Sequence, residues 1–301
     1  MRPKKAHLWR ASAPSDAIHL DAAQGKRGAL ARAVPYGAGM EIDPDVLDFY
    51  ADGREHQRLT AEQSLELIRT QILIRRYLPE PCRVLDVGGG AGVYAGWLSS
   101  LGYDVELIDP VPLHVDQARA LGGFSAEIGD ARDLARSDET YDGVLVLGPL
   151  YHLINRTDRV LALCEARRVV RPGGVVVTAG ISRYAGSLDP LFRGVPYDSR
   201  LGSALRGNLR TGEHRNPDRV LGRFTTAYFH RPDELAAEIA DAGLRLDDLL
   251  AVEDPLGWVP DISARLANPD ERALVLDVLA AMESDPSTTG VSAHLLAAAR
   301  R

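Results

Sequence analysis

Short apolar runs alternate with helical patterns along most of the chain. Runs such as YDGVLVLG and GGVVVTAG are apolar at nearly every position, which is typical of parallel strands buried on both faces. Between these runs, apolar residues recur at helical spacing, and helix ends are marked by residues such as Pro232 and Gly243. The alternation predicts an α/β fold with a Rossmann-like, doubly wound and mostly parallel seven-stranded sheet.

The boundaries of the predicted elements follow from the same pattern. The predicted strands cover residues 83–88, 104–109, 124–129, 141–147, 174–181, 245–252 and the final segment VSAHLLAAAR. The predicted helices cover residues 92–101, 112–121, 157–170, 232–243 and, as a pair, 260–283. The RPGG motif should end the third of these helices and turn the chain into the fifth strand.

The beginning of the chain differs from the rest. Residues 1–40 are rich in Ala, Gly, Pro and charged residues without sustained periodicity, and they contain all three lysines. We expect a mobile arm here, with Met40 as the natural start as an alternative. The predicted domain then covers residues 41–301.

Two segments of this domain do not follow the alternation. Residues 41–79 are expected to form a helical cap, with a capping-box signal from Thr60 and Gln63 and a helix that ends before Pro79. After the fifth strand, residues 183–231 are rich in Gly, Pro and Arg. This second segment predicts a lid that binds the substrate.

Composition and charge restrict the class of protein. The chain has 301 residues, of which 45% are hydrophobic and 26% charged, as in a globular protein. It has neither a signal-peptide pattern nor an apolar run of about 20 residues, so we expect a cytoplasmic protein without a membrane partner. The net charge of −7 argues against a nucleic-acid partner, and two cysteines are too few for a zinc site, so no metal is predicted. The sequence makes no prediction of oligomeric state.

A glycine-rich segment, RVLDVGGGAGVYAGWL, follows the first predicted strand. Gly88, Gly90 and Gly92 stand at alternate positions, where a backbone can turn tightly and a ligand can approach without meeting a Cβ atom. The next helix presents unpaired N–H groups to this loop, and these favour an anion. The loop alone is also compatible with a simple strand-to-helix turn.

Two cofactors fit the loop. The spacing Gly90-x-Gly92-x-x-Ala95 weakly matches the dinucleotide pattern, and Asp109 at the end of the second strand could bind the ribose of either cofactor. An NAD-dependent oxidoreductase is therefore one alternative. It lacks a Tyr-x-x-x-Lys pair, because no lysine follows residue 26.

Other residues favour S-adenosylmethionine. Asp86 lies two residues before the first glycine, where a carboxylate can reach an ammonium group, and NAD has no such group. Asp130, at the end of the third strand, could accept a hydrogen bond from an adenine amino group. The fourth strand opens into a turn of small residues at Gly148.

This ordered set of motifs resembles the class I S-adenosylmethionine-dependent methyltransferases. The resemblance covers roughly residues 80–182, and the wider pattern, with TGEHRN and FTTAYFHRPDELAAEIADAGL, is similar to actinobacterial-type small-molecule methyltransferases. It implies S-adenosylmethionine as methyl donor and S-adenosylhomocysteine as product. It also implies that the glycine loop holds the methionine moiety, Asp109 the ribose, and Asp130 with the Ala131 amide the adenine. The implied cofactor-binding residues are Asp86, Gly88, Gly89, Gly90, Gly92, Asp109, Pro110, Asp130, Ala131 and Gly148.

The acceptor is expected beside the turn after the fourth strand. Ligands of open α/β sheets bind outside the carboxyl ends of the strands, and the GPLYHL segment lies at this edge. His152 is the candidate catalytic base because its ordinary pKa is near neutrality, and Tyr151 could orient the acceptor. Alternatively, His152 holds a backbone carbonyl.

The predicted lid supplies further candidates. Residues 183–231 contain nine arginines and four acidic residues, so an anionic or carboxylate-bearing acceptor is one hypothesis and a solvated charged face is the other. Tyr50, His214, Arg215, Tyr228 and His230 are the predicted substrate-binding residues.

The turn after the fourth strand also bears on the acceptor. It reads Gly148-Pro149-Leu150-Tyr151 and lacks the amide or carboxylate that methyltransferases of adenine or amide nitrogen carry there. We therefore expect a small-molecule acceptor, with secondary metabolism as its context. A non-catalytic module that only binds S-adenosylmethionine is the remaining alternative.

Overall fold

The computed structural model describes residues 42–50, 64–195, 198–216 and 224–301. The predicted arm and the Thr60–Gln63 capping signal lie outside the described residues. No helix in the described part is long and apolar enough to cross a membrane.

Helices and strands alternate through the first half of the domain. The elements are α1 (Pro44–Tyr50), α2 (Leu65–Tyr77), β1 (Arg83–Val87), α3 (Val93–Ser100), β2 (Asp104–Asp109), α4 (Pro112–Leu121), β3 (Ser125–Ile128), β4 (Tyr141–Val146), a 3-10 turn (Pro149–His152), α5 (Arg156–Val169) and β5 (Val170–Ser182). These bounds follow the predicted ones closely, because buried apolar runs and helix caps are local signals.

The second half begins with the insertion after β5. Its elements are α6 (Ala185–Phe192), α7 (Ser199–Thr211), β6 (Glu213–His214) and β7 (Ala227–His230). The fold then continues with α8 (Pro232–Asp241), β8 (Arg245–Ala251), a second 3-10 turn (Asp254–Trp258), α9 (Ile262–Ala267), α10 (Pro269–Met282), α11 (Pro286–Thr289) and β9 (His294–Arg300).

The sheet confirms the doubly wound, mostly parallel architecture. The order β3-β2-β1-β4-β5 is parallel throughout, and β9 pairs antiparallel with both β5 and β8. These seven strands form the main sheet. The described sheet has nine strands rather than the predicted seven, because the insertion adds the short antiparallel pair β6 and β7.

The position of β7 is set by where β4 ends. β4 is paired with β5 only as far as Thr178, whereas β9 pairs with β5 up to Ile181 on the opposite edge. β7 pairs in parallel with Ile181 and Ser182, so it occupies the edge of β5 that β4 has left. This register brings the insertion directly over the carboxyl end of β4.

The core lies on both faces of the sheet. Side chains alternate along a strand, so Val84 and Leu85 of β1 belong to different clusters. One cluster packs against α5 and α8, and the other against α2, α3 and α4. Helices therefore cover both faces, as the continuous apolar strands predicted.

One predicted turn is part of a strand. β5 begins at Val170 and includes the RPGG motif that was expected to precede it. The pairing with β4 shifts register between Tyr141 and Gly143, and Gly173 has a φ of 78°. The strand thus absorbs the motif as an irregularity, which glycine tolerates because it has no Cβ atom.

Candidate active site

The glycine loop forms a tight turn at the carboxyl end of β1. Gly88 has a φ of 67°, and a Cβ atom on it would lie 2.5 Å from Cγ of Pro149. The loop after β1 and the turn after β4 therefore approach each other closely, and only glycine permits this. Gly148 makes the same contact from the other side, where a Cβ atom would lie 2.9 Å from the Gly88 carbonyl oxygen.

Asp86 lies buried beneath this loop. Its exposure is 1%, and neither carboxylate oxygen has a hydrogen-bond partner among the residues that the structure describes. A Cβ atom on Gly89 would be 2.6 Å from Oδ2 of Asp86, so the carboxylate fills the space under the loop. Burial, and then the nearby charge of Asp109, raise the pKa of Asp86 to about 7. A buried carboxylate in this state fits a cationic partner such as an ammonium group.

Asp109 is held in place at the end of β2. Its Oδ2 accepts from the Gly90 N–H at 2.9 Å, and its Oδ1 accepts from the Val111 N–H at 2.9 Å. The Nδ1 atom of His114 lies 3.1 Å from Oδ1. A carboxylate offers about four acceptor sites, so these three contacts leave it able to accept from a ligand hydroxyl. The sequence interpretation missed His114, although it stands only five residues after Asp109 in the first turn of α4.

Asp130 has a strong partner within the protein. Arg132 donates to it through its backbone N–H at 2.8 Å, its Nε at 2.9 Å and its Nη2 at 2.7 Å. Arg132 also pairs with Asp158 at 3.1 Å. The predicted adenine contact therefore has to share an oxygen of a carboxylate that is already in an ion pair. Ala131 beside it is buried.

His152 is part of a hydrogen-bonded pair with the cap. Its Nε2 lies 2.8 Å from the Tyr50 hydroxyl, and its Nδ1 lies 3.3 Å from the carbonyl oxygen of Thr226. A carbonyl only accepts, so Nδ1 carries the proton and Nε2 accepts from Tyr50. The structure thus brings together His152, the predicted catalytic base, and Tyr50, a predicted substrate residue. His152 also contacts a backbone carbonyl, as the alternative interpretation expected.

Burial keeps the His152 ring neutral. Desolvation lowers the pKa of His152 to about 4, while the hydrogen bond with Thr226 and the charge of Asp109 act in the opposite direction. The imidazole is therefore unprotonated at neutral pH. In this state Nε2 has a lone pair that can receive a proton.

Aromatic rings surround this pair. We define the aromatic cluster as Phe49, Tyr50, Tyr151, His152 and Phe224. Within it, His152 lies 5.2 Å from Tyr50, 4.7 Å from Tyr151 and 5.7 Å from Phe224, measured between ring centroids. The cap contributes Phe49 and Tyr50, the turn after β4 contributes Tyr151 and His152, and the insertion contributes Phe224.

Two predicted substrate residues, His214 and Arg215, make contacts within the protein. His214 is buried, with its ring nitrogens 3.0 Å from the Asn208 amide and 3.1 Å from the Phe224 carbonyl oxygen. Arg215 is exposed and lies 3.8 Å from Asp43 of the cap. His214 therefore supports the segment that carries Phe224, and Arg215 joins the insertion to the cap.

Tyr228 and His230 belong to a buried ionic group. His230 is fully buried, with its Nε2 3.2 Å from Glu238, and the Tyr228 ring lies 3.6 Å from the Arg159 guanidinium carbon. Arg159 also donates to the carbonyl oxygens of Leu153 and Ile154, at 2.8 and 2.7 Å. The group supports the turn that carries His152. Its contacts do not support direct contact of His230 with the acceptor.

One group of side chains in the described ranges has the spacing of metal ligands. Glu66, Glu253 and His294 offer ligand atoms within 4.8 Å of one another. His294 already pairs with Glu253 at 2.6 Å, and Ser292 also donates to Glu253. The prediction that no metal is bound stays a prediction.

The predicted cofactor residues converge at one edge of the sheet. Asp86, Gly88, Gly89, Gly90, Gly92, Asp109, Pro110, Asp130, Ala131 and Gly148 lie at or just after the carboxyl ends of β1 to β4. Four parallel strands bring them together, as the position of ligand sites in such sheets requires.

Comparison with known proteins identifies this arrangement. Residues 85–178 match the methyltransferase domain family. The ubiquinone biosynthesis O-methyltransferase of Methylocella silvestris is 35% identical over 194 residues, which are 61% of this chain and 68% of that protein. Its counterpart from Azorhizobium caulinodans is 30% identical, over 58% of this chain and 63% of that protein. The alignment with this second relative thus spans less than two thirds of its length.

Solved structures share the fold. A S-adenosylmethionine-dependent methyltransferase from Mesorhizobium loti has a TM-score of 0.53 at 18% identity and covers 79% of this chain and all of its own. The 1,6-didemethyltoxoflavin-N1-methyltransferase of Burkholderia thailandensis has a TM-score of 0.52 at 19% identity and covers 96% and 94%. The NAD-dependent and non-catalytic alternatives find no support among these proteins. The chain belongs to the class I S-adenosylmethionine-dependent methyltransferases and is an enzyme that uses S-adenosylmethionine as its methyl donor.

Proposed function

We propose that the protein transfers the methyl group to a hydroxyl oxygen of a small aromatic acceptor bound against the aromatic cluster. The observation that carries this proposal is the hydrogen bond between Tyr50 and His152, 2.8 Å long, within a group of aromatic rings beside the turn after β4. Aromatic rings favour a flat apolar ligand, and the paired hydroxyl and imidazole favour a group that must lose a proton. The names of the relatives, O-methyltransferases, support the same chemistry.

The donor site follows from the residues at the ends of β1 to β3. S-adenosylmethionine supplies a methyl group that is already activated by its sulfonium. Asp86 would hold the donor ammonium, because its buried carboxylate has no hydrogen-bond partner in the described part of the chain. Asp109 would accept from the ribose, and Asp130 with the Ala131 amide would contact the adenine. These assignments carry over the sequence predictions and are part of the proposal.

In this proposal, Tyr50 and His152 take up the proton of the acceptor hydroxyl. A hydroxyl can both donate and accept, so Tyr50 can donate to Nε2 of His152 and accept from an acceptor hydroxyl. As the acceptor oxygen takes the methyl group from the sulfonium sulfur, which keeps the electron pair of the broken bond, the acceptor proton would move to the Tyr50 oxygen and the Tyr50 proton to Nε2 of His152. Otherwise the protein aligns the two reactants and excludes water.

An anionic acceptor is the second candidate. It is supported by the formal charge of residues 183–231, where nine arginines exceed four acidic residues. Several of these arginines pair with carboxylates: Arg183 with Glu234, Arg193 with Asp189, and Arg215 with Asp43. The charge left for a ligand is correspondingly smaller. An acceptor of secondary metabolism and a cytoplasmic location remain predictions from the sequence, as does the absence of nucleic-acid and membrane partners.

The proposal is tested by turnover and substitution. The enzyme with S-adenosylmethionine is assayed against a panel of phenols and catechols, with the matching anilines and benzoates, and products are identified by mass spectrometry. We expect O-methylation, with Tyr50→Phe slowing kcat by about tenfold or more and His152→Gln by about a hundredfold, since proton transfer contributes this order.

The matched control is Tyr184→Phe, because Tyr184 is an exposed tyrosine directly before α6. It should leave kcat unchanged. Methylation of nitrogen or of a carboxylate alone, or equal rates for all three variants, would contradict the proposal.

A further inference from the structure

We propose that His114 is a positioning residue that couples the donor site to the acceptor site. It does so through two contacts: a hydrogen bond with Asp109 on the donor side and a ring contact with Tyr50 on the acceptor side. The acceptor half of this inference rests on the proposed function. The donor half depends only on the use of S-adenosylmethionine.

The first contact fixes the direction of the Asp109 carboxylate. A carboxylate accepts, so Nδ1 of His114 carries the proton and donates at 3.1 Å. The other two donors to Asp109 are the backbone N–H groups of Gly90 and Val111. His114 is therefore the only side chain in the described part that is seen to hold this carboxylate.

The second contact reaches the acceptor side. The His114 and Tyr50 rings meet edge to face, with centroids 5.2 Å apart and an angle of 69° between planes. Such a pair has a preferred geometry, so a shift of one ring favours a shift of the other. Tyr50 in turn donates to His152 at 2.8 Å.

These contacts form one continuous chain from Asp109 through His114 and Tyr50 to His152. His114 is 5% exposed, so it has little freedom to move independently. It also lies beside the glycine loop, since its Nδ1 would be 4.0 Å from a Cβ atom on Gly90.

A ligand on Asp109 would add a fourth donor to this carboxylate. A ribose hydroxyl that donates to the carboxylate shares it with His114, and the ring then adjusts against Tyr50. Donor binding thereby sets the Tyr50–His152 pair in place for the acceptor. By thermodynamic linkage, an acceptor on Tyr50 would strengthen donor binding by the same factor.

Two substitutions separate the two contacts. His114→Phe keeps a ring beside Tyr50 but loses the hydrogen bond with Asp109, whereas His114→Asn keeps a donor and loses the ring. S-adenosylhomocysteine is titrated into each protein by calorimetry. The His152 ring nitrogens are followed by NMR, with His152→Gln assigning their signals among the eight histidines. Asp116→Asn, an exposed substitution on the same helix, is the control.

We expect His114→Phe to weaken S-adenosylhomocysteine binding about tenfold, the effect of losing one charge-assisted hydrogen bond. His114→Asn should bind within about threefold of the wild type but lose the shift of the His152 signals on binding. Tyr50→Phe should also lose this shift at unchanged affinity. This third variant keeps the test valid if a replacement at the buried His114 position unfolds the protein, which thermal unfolding would reveal.

The outcomes are distinct. Wild-type affinity and a normal His152 shift in both His114 variants would overturn the inference and leave the proposed function standing. A normal His152 shift in Tyr50→Phe would overturn the acceptor half alone. Failure of the enzyme to methylate any aromatic hydroxyl would refute the proposed function, while the effect of His114→Phe on donor affinity would still be measured.

Discussion

At the scale of single residues, the three carboxylates of the candidate site differ in the hydrogen bonds that they accept. Asp130 and Asp109 each accept three hydrogen bonds, those of Asp130 all from Arg132, whereas the described residues provide no donor to Asp86. The three residues have the same type of side chain and similar positions at strand ends. Their environments, not their identities, decide which of them can attract a cation.

Asp86 gives the free enzyme a pH-dependent stability. Its pKa is raised to about 7 from an ordinary value near 4, so the folded state binds a proton that the unfolded state releases. Stability is therefore lost as the pH rises from about 4 through 7, by up to about 1.4 kcal/mol per pH unit. Asp86→Asn should remove this loss and melt at a higher temperature than the wild type at pH 8.

The same substitution should weaken the binding of S-adenosylmethionine, because an amide cannot pair with the donor ammonium. Melting curves from pH 5 to 8 and calorimetric titration measure the two effects. Asp104→Asn, an exposed substitution at the other end of the sheet, is the control. An Asp86→Asn protein with the wild-type pH profile would show that Asp86 does not titrate in this range.

At the scale of elements, α5 and α8 support the turn that carries His152. Arg159 of α5 and Glu238 of α8 form an almost fully buried ion pair, with Nη2 of Arg159 2.7 Å from Oε1 of Glu238. The same carboxylate also contacts His230. Arg159 then reaches the carbonyls of Leu153 and Ile154. Packing of two helices on one face of the sheet thus fixes a loop at its edge.

Breaking this pair should be costly. We expect Glu238→Ala to lower the free energy of unfolding by about 3–5 kcal/mol, because it leaves the buried Arg159 charge without its partner. The same helices offer a control, since Arg156 and Asp241 pair at 2.8 Å with both side chains more than half exposed. Asp241→Ala should cost less than about 1 kcal/mol in the same denaturant titration. Equal costs would show that the buried pair does not support the turn.

Sequence reasoning was successful where the signal is local. The strands at residues 83–87 and 141–146 appear as apolar runs, and the glycine loop follows from its spacing. The insertion was harder to interpret. Tyrosine and histidine, as at Tyr228 and His230, occur both in substrate pockets and in buried ionic groups. Only the partners distinguish the two, and Glu238 and Arg159 lie outside the insertion.

Contacts distant in the sequence could not be predicted at all. Tyr50 and His152 are 102 residues apart, and they meet because α1 and the turn after β4 share the carboxyl edge of the sheet. The role proposed for His114 could not be predicted for the same reason, since it depends on contact with the Tyr50 ring of the cap. The fold is encoded by many redundant local signals, whereas each of these contacts depends on a single tertiary arrangement.

At the scale of the whole molecule, the cap and the insertion meet over the active site. The Thr225 hydroxyl donates to the Asp45 carbonyl at 2.9 Å, and the rings of Phe49 and Phe224 meet at 5.5 Å. Neither segment belongs to the core of the sheet. Their contact with each other, and with His152, encloses the proposed acceptor site, which would exclude water from the reaction.

Phe224 holds this enclosure together, because its ring contacts Phe49 of the cap as well as Tyr151 and His152 of the turn. Phe224→Ala should free α1, so that amides of residues 44–50 exchange hydrogen about tenfold faster, the effect expected from losing aromatic pairs worth about 0.5–1.5 kcal/mol each. Phe192→Ala is the control, since Phe192 is exposed on α6 and stacks on Trp258. Amides of β1 and β4 should exchange at wild-type rates in both variants, because the core of the sheet does not depend on the enclosure. Faster exchange in those strands would mean that Phe224 stabilises the whole domain, and unchanged exchange in α1 would mean that the cap is held by its other contacts.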